Sequence, residues 1–290
     1  MTISMVPGKA DVIKSKCHTL VHMQGPVQIR EVASVVGLVV SAFSGVQYAP
    51  LFYSSLEYDK TNALKCNGCD LEGKMTLSPL SKQDLLWWIS NADQYPKPIT
   101  PLPPDITLVT DSSLKGWGGV IEGTPNVTGG RWSYQESKFH INYLELKAIL
   151  LVLQFLCNHM QCCHIKLLCD NTTALSYTRN MGGTKSRVCN EMTREIIMWC
   201  MARHLTLSIS HLPGKLNAEA DRASRVFHNS NTKLSLAPSV FNELTATWGE
   251  PDIDMFASRL NYKVSQYVAW KPQYSSKILK HLFPFALPQC

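Results

Sequence analysis

The chain has 290 residues, a length that allows one large domain or two smaller ones, each with its own core. Ten cysteines are too few for a disulfide-built scaffold, and the longest apolar run, residues 32–46, is shorter than the about 20 residues that a membrane span requires. The formal net charge of +6 suits a polyanionic partner but does not require one.

The N-terminus lacks a basic segment followed by an apolar core, so we expect no secretory signal and no membrane partner. Several cysteines lie in apolar segments that read as buried, which favours a reducing compartment. We therefore expect an intracellular protein, located in the cytoplasm or the nucleus.

The N-terminal region is predicted to be small and helical. We assign no regular element to residues 1–28, which are polar and irregular. Apolar spacing predicts helices over residues 28–43 and 51–66, which together suggest a helical hairpin. A further helix is expected to begin at Ser81, a good N-cap residue. Residues 95–105 contain five prolines and predict a linker without regular structure.

From residue 106 onward the pattern changes to short β-branched runs. Three runs separated by turn-rich links predict an antiparallel meander, followed by a long helix, an apolar strand inside the sheet, two helices, a strand and a last helix. In chain order these are the strands ITLVTD, GWGGVIEG and VTGGRWS, a helix from Asn142 to about Asn158, the strand HIKLLCD, helices over 171–180 and 186–201, the strand LTLSISHL and a helix from about Asn217. This order predicts an α/β fold with a mixed five-stranded sheet and helices on both faces.

The C-terminal region begins with a polar link. A helix is expected over residues 240–248, then two strand-like or loop segments rich in aromatic residues, and an irregular end. We therefore predict three parts, a helical region with its linker, a central α/β domain and a C-terminal extension, over residues 1–105, 106–228 and 229–290.

Four carboxylates stand at informative places in this order. Asp111 ends the first strand and Asp170 the fourth, while Glu145 and Asp221 are expected in the first turns of the long helix and the last helix. Each has a simpler explanation on its own. Asp111 suits a turn, Glu145 a helix dipole, Asp170 an N-cap and Asp221 a solvated helix surface. A right-handed connection can nevertheless make the first and fourth strands neighbours, which would set Asp111 beside Asp170.

A cluster of four carboxylates predicts a metal site, because so many negative charges could not all ionise together without cations. Oxygen ligands suit Mg²⁺, with Mn²⁺ as a substitute, rather than zinc. Two such ions about 3.5–4 Å apart can clamp the attacking and leaving oxygens of an in-line phosphoryl displacement. The expected cofactor is therefore a pair of Mg²⁺ ions.

The segments around these acids form a joint pattern: TDSS and GWGG, then ELKA, then DNTTAL, then HLPGKLNAEAD. Together they resemble the ribonuclease H family in its retroelement form, which implies a ribonuclease H-like fold. The resemblance implies that Asp111, Glu145, Asp170 and Asp221 are the catalytic, metal-binding tetrad. It also places the family's mobile histidine at His211, ten residues before the last acid, where it would assist proton transfer or product release. The alternative is a loop histidine that caps the strand end.

GRWS, HINYLEL, NMGGTKS and HLPGKLNAEADRASR carry a finer resemblance, to the DIRS group of retrotransposons. Residues 29–60 look like the thumb and connection of such an element's reverse transcriptase, and WGEPDIDMFASRLN looks like the stretch after its ribonuclease H. Asp252 and Asp254 lie in this stretch and receive no catalytic role. No Tyr-x-Asp-Asp motif occurs in the sequence. We expect the polymerase palm to be absent, and a polymerase domain missing from this chain to be a partner.

A hybrid-cleaving enzyme reads 2′-hydroxyls and groove shape, for which small polar side chains and backbone amides are suited. Residues 106–228 carry 13 Lys and Arg against 9 Asp and Glu, a net of +4 that favours nucleic acid. The alternative for the Gly-Gly-Thr-Lys-Ser segment is an ordinary C-cap glycine followed by an N-cap serine. The expected contacts to nucleic acid are Asn142, Asn171, Thr184, Lys185, Ser186 and Arg187.

The sequence thus predicts a metal-dependent endonuclease that hydrolyses the RNA strand of RNA–DNA hybrids, leaving 5′-phosphomonoesters, as part of a retrotransposon reverse transcriptase polyprotein. One alternative is a catalytically inactive, nucleic-acid-binding remnant of a retroelement. Another is an integrase-like strand transferase of the same fold. The helix glutamate and the histidine loop before the last acid favour the ribonuclease H interpretation over the transferase.

Overall fold

The computed structural model describes residues 1–99, 103–183, 185–225, 236–255, 257 and 262–268. The chain packs as two compact units, one made of Met1–Asp105 with Thr173–Ile209 and the other of Ile106–Thr172 with Ser210–Cys290. This grouping follows packing, whereas the predicted division at residues 105 and 228 follows the sequence and stays a prediction. Within the described ranges, every helix is too short or too polar to cross a bilayer.

The first unit is built from helices around one hydrophobic cluster. Trp88 is fully buried in it, and its indole N–H donates to the carbonyl of Phe52 at 2.9 Å. Its helices are α1 (Pro7–His22), α2 (Ile29–Val40), α3 (Ser54–Cys66), α4 (Pro79–Asn91), α6 (Thr172–Arg179) and α7 (Arg187–Met201), with a 3₁₀ turn at Ala49–Phe52. The predicted helices over 28–43 and 51–66 are therefore present, the second interrupted near its start.

Three predictions for this unit are wrong. Residues 95–105 are not without regular structure, because Lys97–Pro98 forms a short strand that pairs antiparallel with Thr2–Ile3. Residues 1–28 contain α1, which buries a stripe of Ala10, Ile13, Cys17 and Leu20. Alanine and cysteine are weak hydrophobic signals, so this stripe is faint in the sequence although its spacing is helical. Helix α4 is capped not by Ser81 but by Ser78, which accepts from the Ser81 N–H and is followed by proline at the first helical position.

The prediction of a mixed five-stranded sheet is confirmed. The strands are β1 (Ile106–Ser112), β2 (Gly116–Ile121), β3 (Val127–Arg131), β4 (His164–Cys169) and β5 (Thr206–His211), in the order β3-β2-β1-β4-β5. The β1–β2 and β2–β3 pairs are antiparallel, as the meander predicted, and β1 pairs with β4 in parallel. The strand HIKLLCD therefore lies inside the sheet, beside its middle strand.

Helix α5 (Ile141–Leu156) supplies the core on one face of the sheet. The imidazole of His140 caps it by accepting the Asn142 N–H at 3.2 Å. Its long apolar run leaves little of the helix exposed, because a helix that is apolar nearly all round must be buried. Fully buried side chains here include Leu144, Leu146, Ile149, Leu150 and Leu153 of α5 with Leu108 of β1 and Ile165 of β4.

Glycines in β2 and β3 let helices approach the sheet on both faces. A Cβ on Gly118 would lie 2.6 Å from the Ala220 carbonyl oxygen in α8 (Ala218–Arg225), and one on Gly119 would overlap Val152 of α5. A Cβ on Gly129 would lie 2.6 Å from the Ala223 carbonyl oxygen. Neighbouring residues of a strand point to opposite faces, so the Gly-Gly pair seats α8 on one face and α5 on the other.

The C-terminal segment contains α9 (Pro238–Trp248), close to the predicted helix over 240–248. Two short strands, Asp254–Met255 and Tyr267–Val268, then pair in parallel. They correspond to the two strand-like segments expected after Trp248.

Candidate active site

The pairing of β1 with β4 brings the first two acids to one edge of the sheet. Thr107 lies opposite Lys166 and Val109 opposite Leu168. Continued by two residues, this register sets Asp111 opposite Asp170. The carboxyl ends of parallel strands are a common place for a site, since side chains from separate strands converge there.

Glu145 of α5 completes a set of three carboxylates. One ligand oxygen from each of Asp111, Glu145 and Asp170 lies within 4.8 Å of the others. Asp111 and Glu145 are buried, with 5% and 4% of their surface exposed, and Asp170 is half-buried. Glu145 stands in the second turn of α5, not in the first as predicted, so the helix dipole does not account for it.

The pKa values of two of these acids are raised. Burial is the largest cause for Asp111, whose pKa is about 6; the charges of Asp170 and Asp221 add to it, and a hydrogen bond from Ser224 opposes it. Burial also dominates for Glu145, whose pKa is about 9, again with the charges of Asp111 and Asp170 as further causes. The Arg225 guanidinium lowers the pKa of Asp111 without offsetting these causes, so burial and like charge dominate at both carboxylates.

The residues present fit a divalent cation. The Glu145 Oε2 atom is buried and accepts no hydrogen bond among the described residues, so its lone pairs are available to a cation. A donor set made only of carboxylate oxygens suits a hard cation such as Mg²⁺ or Mn²⁺. Asp111, Glu145 and Asp170 would hold it.

Two residues that receive no role in the sequence-based prediction hold the Asp111 carboxylate. The Asn217 amide donates to its Oδ1 at 3.1 Å, and the Ser224 hydroxyl donates to its Oδ2 at 2.7 Å. Both donors are fully buried, and the amide of Asn217 also reaches the Thr110 carbonyl at 3.3 Å. The sequence does contain a signal that Ser224 lies near the acids. It follows Asp221 by three residues, which places both on one side of a helix.

The fourth predicted ligand is not part of the compact set. Asp221 lies in the first turn of α8, as predicted, and its Oδ1 accepts from the Arg225 guanidinium at 2.7 Å. Its charge still raises the pKa of Asp111, so it acts on the same site electrostatically. Its role as a metal ligand stays a prediction.

His211 ends β5 and is exposed, and the chain after it returns to the site. The Leu212 N–H donates to the Cys169 carbonyl at 2.9 Å, and a Cβ on Gly214 would lie 3.1 Å from Asp170 Oδ2. The histidine loop therefore passes along Asp170. The proposed role of His211 in proton transfer stays a prediction.

The six residues predicted to contact nucleic acid are distributed over both units. Asn142 and Asn171 are brought together, with the Asn171 amide donating to Asn142 Oδ1 at 3.1 Å. Lys185, Ser186 and Arg187 belong to the first unit. Ser186 caps α7 by accepting the Cys189 N–H, the alternative considered from sequence, and Arg187 pairs with Glu191 at 3.0 Å. Lys185 and Arg187 line a cavity of about 380 Å³ in that unit, and Thr184 lies outside the described residues.

Comparisons with known proteins give structural matches only. No family model matches the sequence, and no curated protein does. The RNase H1 of Halobacterium salinarum NRC-1 matches with a TM-score of 0.35 at 16% identity, covering 41% of this chain and 92% of that one. LC11-RNase H1 in complex with an RNA/DNA hybrid matches with a TM-score of 0.36 at 20% identity, covering 41% and 93%.

A foamy viral protease-reverse transcriptase in complex with an RNA/DNA hybrid matches over more of the chain. It has a TM-score of 0.27 at 14% identity, covering 82% of this chain and 30% of that one. Matches at these identities and TM-scores do not indicate an activity. Evidence for activity has to come from the side chains of the site.

Proposed function

We propose that the chain is a divalent-metal-dependent endonuclease that hydrolyses the RNA strand of RNA–DNA hybrids. This proposal rests on the set of Asp111, Glu145 and Asp170, of which the first two are buried and the third is half-buried. One ligand oxygen of each lies within 4.8 Å of the others, and a buried oxygen of Glu145 accepts no hydrogen bond among the described residues. Clustering three carboxylates, two of them buried, is costly without a cation, so this arrangement favours the binding of one.

Different residues of the chain would bind the metal, contact the substrate and exchange a proton in such a reaction. The three acids, with Asp221 beside them, would bind Mg²⁺ or Mn²⁺, which when bound activates a water and stabilises the leaving oxygen of a phosphodiester. The bonded amides of Asn142 and Asn171 offer donors and acceptors suited to a 2′-hydroxyl. His211, at the exposed end of β5, would exchange a proton at its imidazole, and cleavage would leave 5′-phosphomonoesters.

We also propose an origin in a retrotransposon reverse transcriptase polyprotein of the DIRS group, with a polymerase domain missing from this chain as its partner. The motifs GRWS, HINYLEL, NMGGTKS and HLPGKLNAEADRASR support this origin. The intracellular location stays a prediction.

One observation favours a second candidate, a catalytically inactive nucleic-acid-binding remnant. The carboxylate of Asp221 is engaged by the Arg225 guanidinium and stands outside the compact set of three acids. A site locked in that arrangement would bind hybrid and leave it intact.

Substitution of Asp111 by asparagine tests the proposal. Asp111→Asn should lower the cleavage rate of a hybrid in Mg²⁺ by at least about 100-fold. Loss of a group that only supports a metal ligand costs up to about 100-fold, and loss of a ligand itself should cost at least as much. Hybrid binding should persist, since the change removes a negative charge facing a polyanion. Cleavage in a gel assay and binding by fluorescence anisotropy measure the two separately.

Asp252→Asn is the matched control, because Asp252 is an exposed aspartate outside the central domain. It should cleave like the unaltered chain. Cleavage by Asp111→Asn at the rate of this control would show that the site is assigned to the wrong residues.

A further inference from the structure

Ser224 is a polar residue of α8 with no exposed surface. Its hydroxyl oxygen lies 2.7 Å from Asp111 Oδ2 and 2.9 Å from the Asp221 carbonyl oxygen. A hydroxyl has one hydrogen to donate, and bonds to an ionised carboxylate are the shorter and stronger ones. Ser224 therefore donates to Asp111.

The bond is matched by one in the other direction. The Ser113 hydroxyl donates to the Ser224 carbonyl oxygen at 2.8 Å. Ser113 comes two residues after Asp111, directly beyond β1, so the end of this strand and the end of α8 are bonded to each other twice. The missing Cβ of Gly118, which would lie 2.6 Å from the Ser224 nitrogen, makes this approach feasible.

The two donors leave room for a cation. An ionised carboxylate has about four lone-pair positions. Asn217 occupies one on Oδ1 and Ser224 one on Oδ2, which fixes the rotation of the carboxylate and keeps one position on each oxygen available. Groups that orient a metal ligand in this way set the affinity of the site.

We propose that Ser224 is a positioning residue that fixes the Asp111 carboxylate for binding a divalent cation together with Glu145 and Asp170. This inference rests on the proposed function. It assigns to α8 a second contribution besides Asp221, one helical turn further along.

Ser224→Ala tests the inference in the full chain. The dissociation constant for Mg²⁺, measured by calorimetry without nucleic acid, should rise about 10-fold, as for loss of a group that supports a ligand. The Mg²⁺ concentration for half-maximal cleavage should rise in parallel, while the KM for hybrid stays unchanged. Ser224→Cys, which fills the space but donates only weakly, should give the same shift if alanine impairs folding.

Ser113→Ala is the matched control. It removes the reciprocal hydrogen bond between β1 and α8 without touching a carboxylate, so it should lower stability and leave Mg²⁺ affinity unchanged. Equal Mg²⁺ affinity in Ser224→Ala, Ser224→Cys and the control, with an active unaltered chain, would overturn this inference alone. An unaltered chain that neither binds Mg²⁺ nor cleaves hybrid would overturn the proposed function and the inference with it.

Discussion

Glu145 is the acid of the site whose pKa is raised more than that of Asp111. Its carboxyl group is buried against two other acids, so burial and like charge both oppose its ionisation. These two effects raise its pKa from the usual 4.5 to about 9. In the absence of a cation, the protonated state is therefore favoured at neutral pH. A divalent cation would take the place of that proton.

This predicts how the stability of metal-free protein depends on pH. The pKa of Glu145 is raised in the folded state, so its stabilising contribution is complete below the ordinary value of 4.5 and is lost as pH rises through about 9. Asp111, with a pKa near 6, adds to the loss between about 4 and 6. The free energy of unfolding should therefore fall with rising pH, by at most about 1.4 kcal/mol per pH unit for each group.

Glu145→Gln is the diagnostic variant, because it is neutral at every pH and keeps the side chain's size. In urea denaturation with EDTA between pH 5 and pH 9, it should have a clearly flatter pH dependence than the unaltered chain. An identical slope in the two proteins would show that Glu145 is ionised in the folded state.

Among the residues of the site, the acids could be predicted from the sequence, but the residues that hydrogen-bond to Asp111 could not. Asp111 and Asp170 could be placed because each ends a recognisable strand. Ser224 and Asn217 could not be assigned a contact, because each meets Asp111 across more than a hundred residues of chain. The turn of Glu145 was misjudged because helix boundaries are poorly fixed by local sequence.

At the scale of elements, α8 depends on glycines in the strands beneath it. Gly118→Ala would drive a Cβ to 2.6 Å from backbone atoms of α8, which cannot rotate away as a side chain could. We expect a loss of stability of about 1–3 kcal/mol, as for other overpacked cores, together with reduced cleavage as Ser224 shifts. Thermal unfolding and the hybrid assay measure the two effects.

Gly37→Ala is the control for the same substitution. Gly37 lies inside α2, and nothing is within 4 Å of the position of its Cβ. This variant should gain up to about 1 kcal/mol from helix propensity. A Gly118→Ala protein as stable and active as the unaltered chain would mean that α8 does not need the close approach.

The elements from residue 106 to 211 were predictable because their periodicity is strong and each is bounded by turn residues or caps. Helix α1 was not, because its buried stripe includes Ala10 and Cys17, which are weak signals. The cap of α4 was misplaced because Ser78 and Ser81 are equally good candidates, and only the fold shows that Ser81 instead donates to Asp59 at 2.6 Å.

At the scale of the whole molecule, the packing divides the chain differently from its sequence motifs. Helices α6 and α7 follow β4 in the motif order, yet they belong to the same compact unit as the first 105 residues. Their packing shows why: Arg194 of α7 pairs with the buried Asp84 of α4 at 2.6 Å and lies over the Phe52 ring. Such long-range pairing leaves no local trace in the sequence.

We propose that this chain cuts RNA, and only RNA, in a hybrid, and does so with a divalent cation. The most direct measurement incubates the purified full chain with a hybrid that carries different labels on its RNA and DNA strands, in Mg²⁺ or in EDTA. We predict internal cleavage of the RNA strand with 5′-phosphate ends, in Mg²⁺ alone, and an intact DNA strand. An intact RNA strand in Mg²⁺, or equal cutting of both strands, would rule out this activity.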